Sequence, residues 1–245
     1  MKKYILTLLL LMIATPAHAA PSCIPYMGET LHFSVGWEFV NAGSATLSYS
    51  PISENGYRVH TLAKTNKFFD MFKKVRDTIV SEGLCLNDKM QSTRFDLDQH
   101  ENRYNSNKKT EFLWKENKVK YTQNNHTDTY DVPAGHLNVI DAFTYVRTLD
   151  LKPGDKIHVP VFDQRKTYDI VIYVSKKKQV LKMPSGEKVE CLIVEPKLKT
   201  AGVFSSKGTI KVWMTNDSRH VPLKMTAKIK IGRIIARLTG YTPGS

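Results

Sequence analysis

Apolar and polar residues alternate with a period of two along most of the chain, the pattern of strands that bury one face. Leu31, Phe33, Val35 and Trp37 alternate with His32, Ser34 and Gly36; Val221, Leu223, Met225, Ala227, Ile229 and Ile231 alternate with Pro222, Lys224, Thr226, Lys228 and Lys230. Further strands are expected at 43–50, 56–64, 76–83, 89–100, 103–114, 117–123, 155–162, 166–175, 187–196, 207–215 and 233–241. Turn residues such as Glu54-Asn55-Gly56 and Pro184-Ser185-Gly186 divide them. The links are too short for helical crossovers, so the expected fold is mainly all-β. It is a large antiparallel sheet, curled or closed into a barrel to limit its edges.

Two segments break the alternation. Val139, Ala142, Phe143 and Val146 recur at helical spacing, with Asn138 placed as an N-cap and Pro153-Gly154 beyond the end. Phe68-Phe69-Asp70-Met71-Phe72-Lys73-Lys74 is a short aromatic and basic segment that reads as a turn of helix or a lid between strands.

The composition is that of a globular chain: 245 residues, 41% hydrophobic, 24% charged and three cysteines. A formal charge of +13 raises nucleic acid as a partner. The first residues turn the argument elsewhere. Lys2 and Lys3 precede an apolar run from Tyr4 to Ala14, and Ala17-His18-Ala19 offers small residues at a cleavage position. Residues 1–19 therefore read as a secretory signal peptide, too short to span a bilayer, and 20–245 as a single β-rich domain in the periplasm. Losing the leader removes two lysines and no acid, so the remainder stays basic; no nucleic acid is expected there. Disulfides are permitted in that compartment. Cys23, Cys85 and Cys191 allow three pairings or free thiols; Cys191 lies in the apolar run Val189–Val194, so Cys23 with Cys85 is the favoured bridge.

The spacings that mark common catalytic sites are absent: no G-x-S-x-G, H-E-x-x-H, C-x-x-C or glycine-rich phosphate loop. The histidines stand singly, with no paired metal-ligand spacing, and no cofactor is expected. Asp96 and Asp98 share one strand face, and Asp163 closes Pro160-Val161-Phe162-Asp163, where a turn role competes with acid–base chemistry. Lys67, Lys73, Lys74 and Arg76 flank Phe68, Phe69, Met71 and Phe72, a set suited to anionic head groups and acyl chains. The competing reading makes the same phenylalanines a core plug.

Several phrases together resemble the bacterial exported family catalogued as domain of unknown function 3108. They are Gly28-Glu29-Thr30-Leu31, Val35-Gly36-Trp37, Ala42–Leu47, Thr65–Phe69, Phe72–Asp77, Asp141-Ala142-Phe143, Tyr145-Val146-Arg147, Pro153-Gly154-Asp155, Pro160–Asp163, Val194-Glu195-Pro196, Gly202-Val203-Phe204, Trp213–Asp217 and Ile229–Gly232. They run in collinear order over nearly the whole chain. The resemblance implies an exported β-rich protein and assigns no activity and no site residues. By analogy of fold alone, such a sheet is similar to lipocalin-like barrels and lipoprotein carriers.

The expectation is thus a non-catalytic, monomeric periplasmic protein with an apolar cavity for a lipidic or amphiphilic envelope ligand. Trp37, Phe33, Phe143, Leu223 and Met225 would wall it, Phe68, Phe69 and Phe72 would form its mouth, and Lys73, Lys74 and Arg76 would meet an anionic head group. A packed barrel without a cavity is the plain alternative. An interaction module for anionic polysaccharide or an outer-envelope protein, and a hydrolase using Asp163 or His158, are the others.

Overall fold

The computed structural model describes residues 23–198, 210–229 and 232–244. The leader expected at 1–19, the phrase Gly202-Val203-Phe204, the start of the strand expected at 207–215, and Lys230-Ile231 lie outside these residues.

The first strands form a meander: β1 Thr30–Trp37, β2 Val40–Pro51, β3 Gly56–Thr65, β4 Arg76–Leu86, β5 Lys89–Glu101, β6 Tyr104–Leu113, β7 Lys118–Gln123 and β8 His126–Asp131. A four-residue helix, α1 Lys67–Asp70, links β3 to β4. After α2 Val139–Thr148 come β9 Lys156–Asp163, β10 Lys166–Val174, β11 Gln179–Lys182, β12 Lys188–Leu198, β13 Ile210–Thr215, β14 Pro222–Lys228 and β15 Arg233–Thr242. All join one sheet in the order β8-β7-β6-β5-β4-β3-β2-β1-β15-β14-β13-β12-β10-β9, with β11 beside β12. Every named strand pair is antiparallel, as the short links require.

This order puts the first and last strands at the centre of the sheet, where Val35 faces Ala236. Its two edges, β8 and β9, are consecutive along the chain. The connection between them covers the β9 edge: the Leu137 N–H donates to Pro160 O at 3.0 Å, and the Phe162 N–H donates to Leu137 O at 2.9 Å. Phe162 then packs edge-on against Phe112 and beside Tyr130, over a cluster that includes Val119 and Val132. The curled sheet thus meets itself, which limits exposed edge as the alternation predicts.

Two strands escaped the sequence reading. β8 reads His126-Thr127-Asp128-Thr129-Tyr130-Asp131, with a single large apolar side chain, because an edge strand packs little on either face. β11 is four residues long and pairs with β12 alone.

Register fixes two ends. The β1–β2 turn, α1 and the β5–β6 turn lie at the end that also holds Ile210 and Lys228. The opposite end is covered by Cys23–Met27, where Ile24, Tyr26 and Met27 are buried and Cys23 is bridged to Cys85 with Cα atoms 5.5 Å apart. Cys191 is a buried thiol, pushed up to about 11 by burial.

Candidate ligand cavity against an internal helix

Helix α2 starts where the sequence predicts. The Asn138 side-chain oxygen accepts the backbone N–H groups of Ile140 and Asp141 at 3.0 and 2.9 Å, the capping that orphan helix donors require. Its spacing marks Val139, Ala142, Phe143 and Val146 as an apolar stripe, but Asp141, Thr144 and Arg147 are buried as well. The helix is enclosed, and its polar side chains are satisfied by the sheet.

At the first turn the Asp141 carboxylate accepts from Ser81 Oγ at 2.7 Å, from Ser92 Oγ, and from Asn138 Nδ2 at 2.8 Å. Burial pushes its pKa up to about 6 against the pull of these hydrogen bonds. At the last turn Arg147 pairs with Glu29 at 2.7 Å and donates to Tyr49 Oη, His220 O and Arg219 O. Its guanidinium lies 4.0 Å from the centre of the Tyr26 ring. Tyr26 Oη in turn donates to Thr144 O at 2.9 Å. Both ends of α2 are therefore fixed to strands by charged side chains that leave little room for sliding.

The apolar stripe faces the other half of the sheet across a cavity of about 210 Å³. Val139, Ala142, Phe143 and Val146 form one wall; Val159, Ile170 and Ile172 from β9 and β10, and Val194, Pro196, Val212, Met214 and Met225 from β12 to β14, form the other. Every described side chain that lines it is apolar. The bonds at both ends of α2 hold it in place beside this gap.

Of the walls expected from sequence, Phe143 and Met225 line this cavity. Phe33 and Leu223 are ordinary core, and Trp37, 40% exposed, is not part of it. The mouth expected from α1 is corrected as well. No residue of α1 lines the cavity, and Phe68 and Phe72 are exposed, because α1 caps the β3–β4 link while the cavity belongs to β9–β14. Neither do they plug the core. Lys73 is paired with Glu101 at 2.6 Å and Arg76 with Asp70 at 2.6 Å, so these two cations brace α1; Lys74 is exposed. Asp70 is held below the usual carboxylate range by hydrogen bonds from Arg76 and Thr65.

The acids and histidines considered for catalysis are dispersed. His158 and Asp163 are five residues apart on one strand and so face opposite sides; His158 bonds Asp169 at 2.7 Å on the exposed face. Asp96 is taken by Arg94, and Asp98 by His100 at 3.1 Å. Among the described residues no group of three His, Cys, Asp or Glu side chains could hold a metal ion.

Residues 32–239 match the model of a family described as "Protein of unknown function (DUF3108)". No curated protein matches the chain. Among solved structures, it is similar to a β-barrel-like protein of domain of unknown function DUF1849 from Brucella abortus. The TM-score is 0.59 at 8% identity, covering 89% of this chain and 98% of that one. At that identity the likeness speaks for the fold alone.

Proposed function

The chain belongs to the DUF3108 family, and on that premise we propose that it is a non-catalytic periplasmic protein that holds the apolar part of an envelope amphiphile between α2 and the sheet. The observation that carries this reading is the apolar lining, among the described residues, of a gap beside a helix fixed at both ends. At about 210 Å³ the gap is larger than the roughly 150 Å³ at which a dry cavity takes a benzene-sized guest. It is smaller than the roughly 300–1,000 Å³ of sites for drug-sized ligands. It therefore suits one chain end or ring and leaves a polar head group outside.

The test is native mass spectrometry of protein purified from a periplasm, with organic extraction of whatever it releases. Extra mass from an acyl-bearing compound, lost in a folded Val212→Phe variant that fills the cavity, is the expected result. A bare protein mass that persists after incubation with envelope lipids would reject the reading.

A second reading has its own observation. On the outer face of β14 and β15, Lys224 stands directly opposite Arg237, and Lys228 opposite Arg233. Like charges in direct register are destabilising. An anionic polysaccharide or acidic protein surface would relieve them, and that interaction needs no internal ligand.

A further inference from the structure

Among the described residues, Trp37, Phe39, Phe68, Phe72 and Tyr104 gather exposed aromatic surface at one end of the sheet, and Tyr173 on β10 is an exposed aromatic elsewhere. Phe39 in the β1–β2 turn is 98% exposed, Met71 and Phe72 after α1 are 73% and 68% exposed, and Phe68 and Tyr104 are also exposed. They come from the three connections at that end of the meander, β1–β2, β3–β4 and β5–β6, with Tyr104 opening β6, and hydrogen bonds tie those connections together. Asn66 Nδ2 donates to Asn41 O at 2.8 Å, joining α1 to the start of β2. The Lys74 N–H donates to Asn102 Oδ1 at 2.7 Å, and the Asn102 N–H donates to Lys74 O at 2.9 Å, joining it to the β5–β6 turn.

Helix α1 buries none of its residues, yet it is held firmly. Arg76 grips both Asp70 oxygens, Thr65 Oγ1 donates to Asp70, and Asn66 caps the Phe69 N–H at 2.9 Å. Phe68, Phe69 and Phe72 touch one another at centroid distances of 5.5–6.4 Å. Ordering four residues around exposed rings brings no core burial, so this clamp stabilises a surface prepared for something else. Lys73 and Arg76 neutralise Glu101 and Asp70, while Lys67, Lys74 and Arg103, on the same connections, are exposed.

We infer that this rim docks on an anionic lipid bilayer, with Phe39, Phe68, Met71 and Phe72 entering the interface and Lys67, Lys74 and Arg103 meeting lipid phosphates. Aromatic rings mixed with lysine and arginine are the composition that partitions to the head-group layer. Basic residues held near an anionic surface strengthen that partition further. Ile210 at the cavity wall belongs to the same end of the strands, so docking turns that end toward the membrane. The inference stands apart from what fills the cavity, since vesicle binding and ligand retention are measured separately.

The test is flotation of the purified protein with phosphatidylglycerol–phosphatidylethanolamine vesicles and, separately, with phosphatidylcholine vesicles. Wild type is expected to float with the anionic vesicles, less so in high salt. A Phe39→Ser, Phe68→Ser, Phe72→Ser variant with an unchanged thermal melt should partition at least about tenfold more weakly, as expected from losing three buried rings. A Lys67→Glu, Lys74→Glu, Arg103→Glu variant checks the charge arm independently, and should lose the preference for anionic vesicles. Wild type that fails to float, or variants that float as well as wild type, would overturn the inference and leave the rim to a protein partner.

Discussion

Arg147 Nη2 lies 2.7 Å from a carboxylate oxygen of Glu29, and both side chains are wholly enclosed by the protein. Their positions are 118 residues apart, so the pair ties the last turn of α2 to the start of β1 across the fold. Breaking such a pair from one side strands a buried charge and costs about 3–5 kcal/mol. Arg147→Met and Glu29→Gln are each expected to lose that much in urea denaturation. The double variant should lose clearly less than the two losses combined, because it leaves neither charge alone. Additive losses would show that each residue acts through other partners, such as Tyr26 and Tyr49 for the arginine.

Asp141 makes stability depend on pH in an uncommon direction for a carboxylate. Its folded pKa of about 6 lies above the ordinary aspartate value of 3.8, so the folded state holds the proton more tightly than the unfolded chain. Its contribution is therefore fully present below about pH 4 and is lost as pH rises through 6. Asp77 and Asp163 are also raised by burial, so the clean readout is the difference between wild type and Asp141→Asn. Relative to that variant, wild type should lose about 2 kcal/mol between pH 4.5 and 7.5. A pH-independent difference would mean that the carboxylate is ionised throughout that range.

These two residues also show where the sequence stops being legible. The period-two alternation marks β1 and β14 directly, and Asn138 with Val139, Ala142 and Val146 marks the start of α2. On a helix with that stripe, Asp141 and Arg147 read as solvent-facing. They are buried because α2 lies inside the curled sheet, with sheet on more than one side. Their partners are Ser81 on β4, Ser92 on β5 and Glu29 just before β1, small or isolated polar residues whose neighbours give no local sign of the pairing. Contacts over such separations are set by topology, which alternation does not encode. The aromatic run of α1 failed in the opposite way: composition flags it strongly, but only the position of α1 on the β3–β4 link decides between core, cavity mouth and rim.

The bridge from Cys23 to Cys85 spans 62 positions and anchors the Cys23–Met27 segment over one end of the sheet. Closing a loop of that length restricts the unfolded chain by about 4 kcal/mol. A Cys23→Ser, Cys85→Ser variant is therefore expected to unfold at clearly lower urea than wild type, and dithiothreitol should lower the midpoint of wild type but not of the variant. The buried Cys191 should resist alkylation in the native protein and react on unfolding. Equal midpoints with and without reductant would remove the bridge from the account of stability.

The outer face of β14 and β15 offers a test that separates fold from function. Lys224 faces Arg237 across the strands and lies over the Trp213 ring at 4.3 Å; burial lowers its pKa, and the charges of Arg237 and Arg233 lower it further. A protein selected for stability alone would place an acid opposite one of these cations. Arg237→Glu converts the repulsive pair into an attractive one, worth roughly 0.2–1 kcal/mol across a strand pair, and should raise the melting temperature slightly. If the face serves an anionic partner, the same change should weaken binding of a soluble polyanion such as dextran sulfate at low salt, while leaving any ligand in the α2 cavity in place. Stability gained together with binding lost identifies the like-charge register as functional strain. Stability gained with polyanion binding unchanged makes the register a tolerated accident of a basic chain, and leaves the cavity and the aromatic rim as the surfaces to pursue.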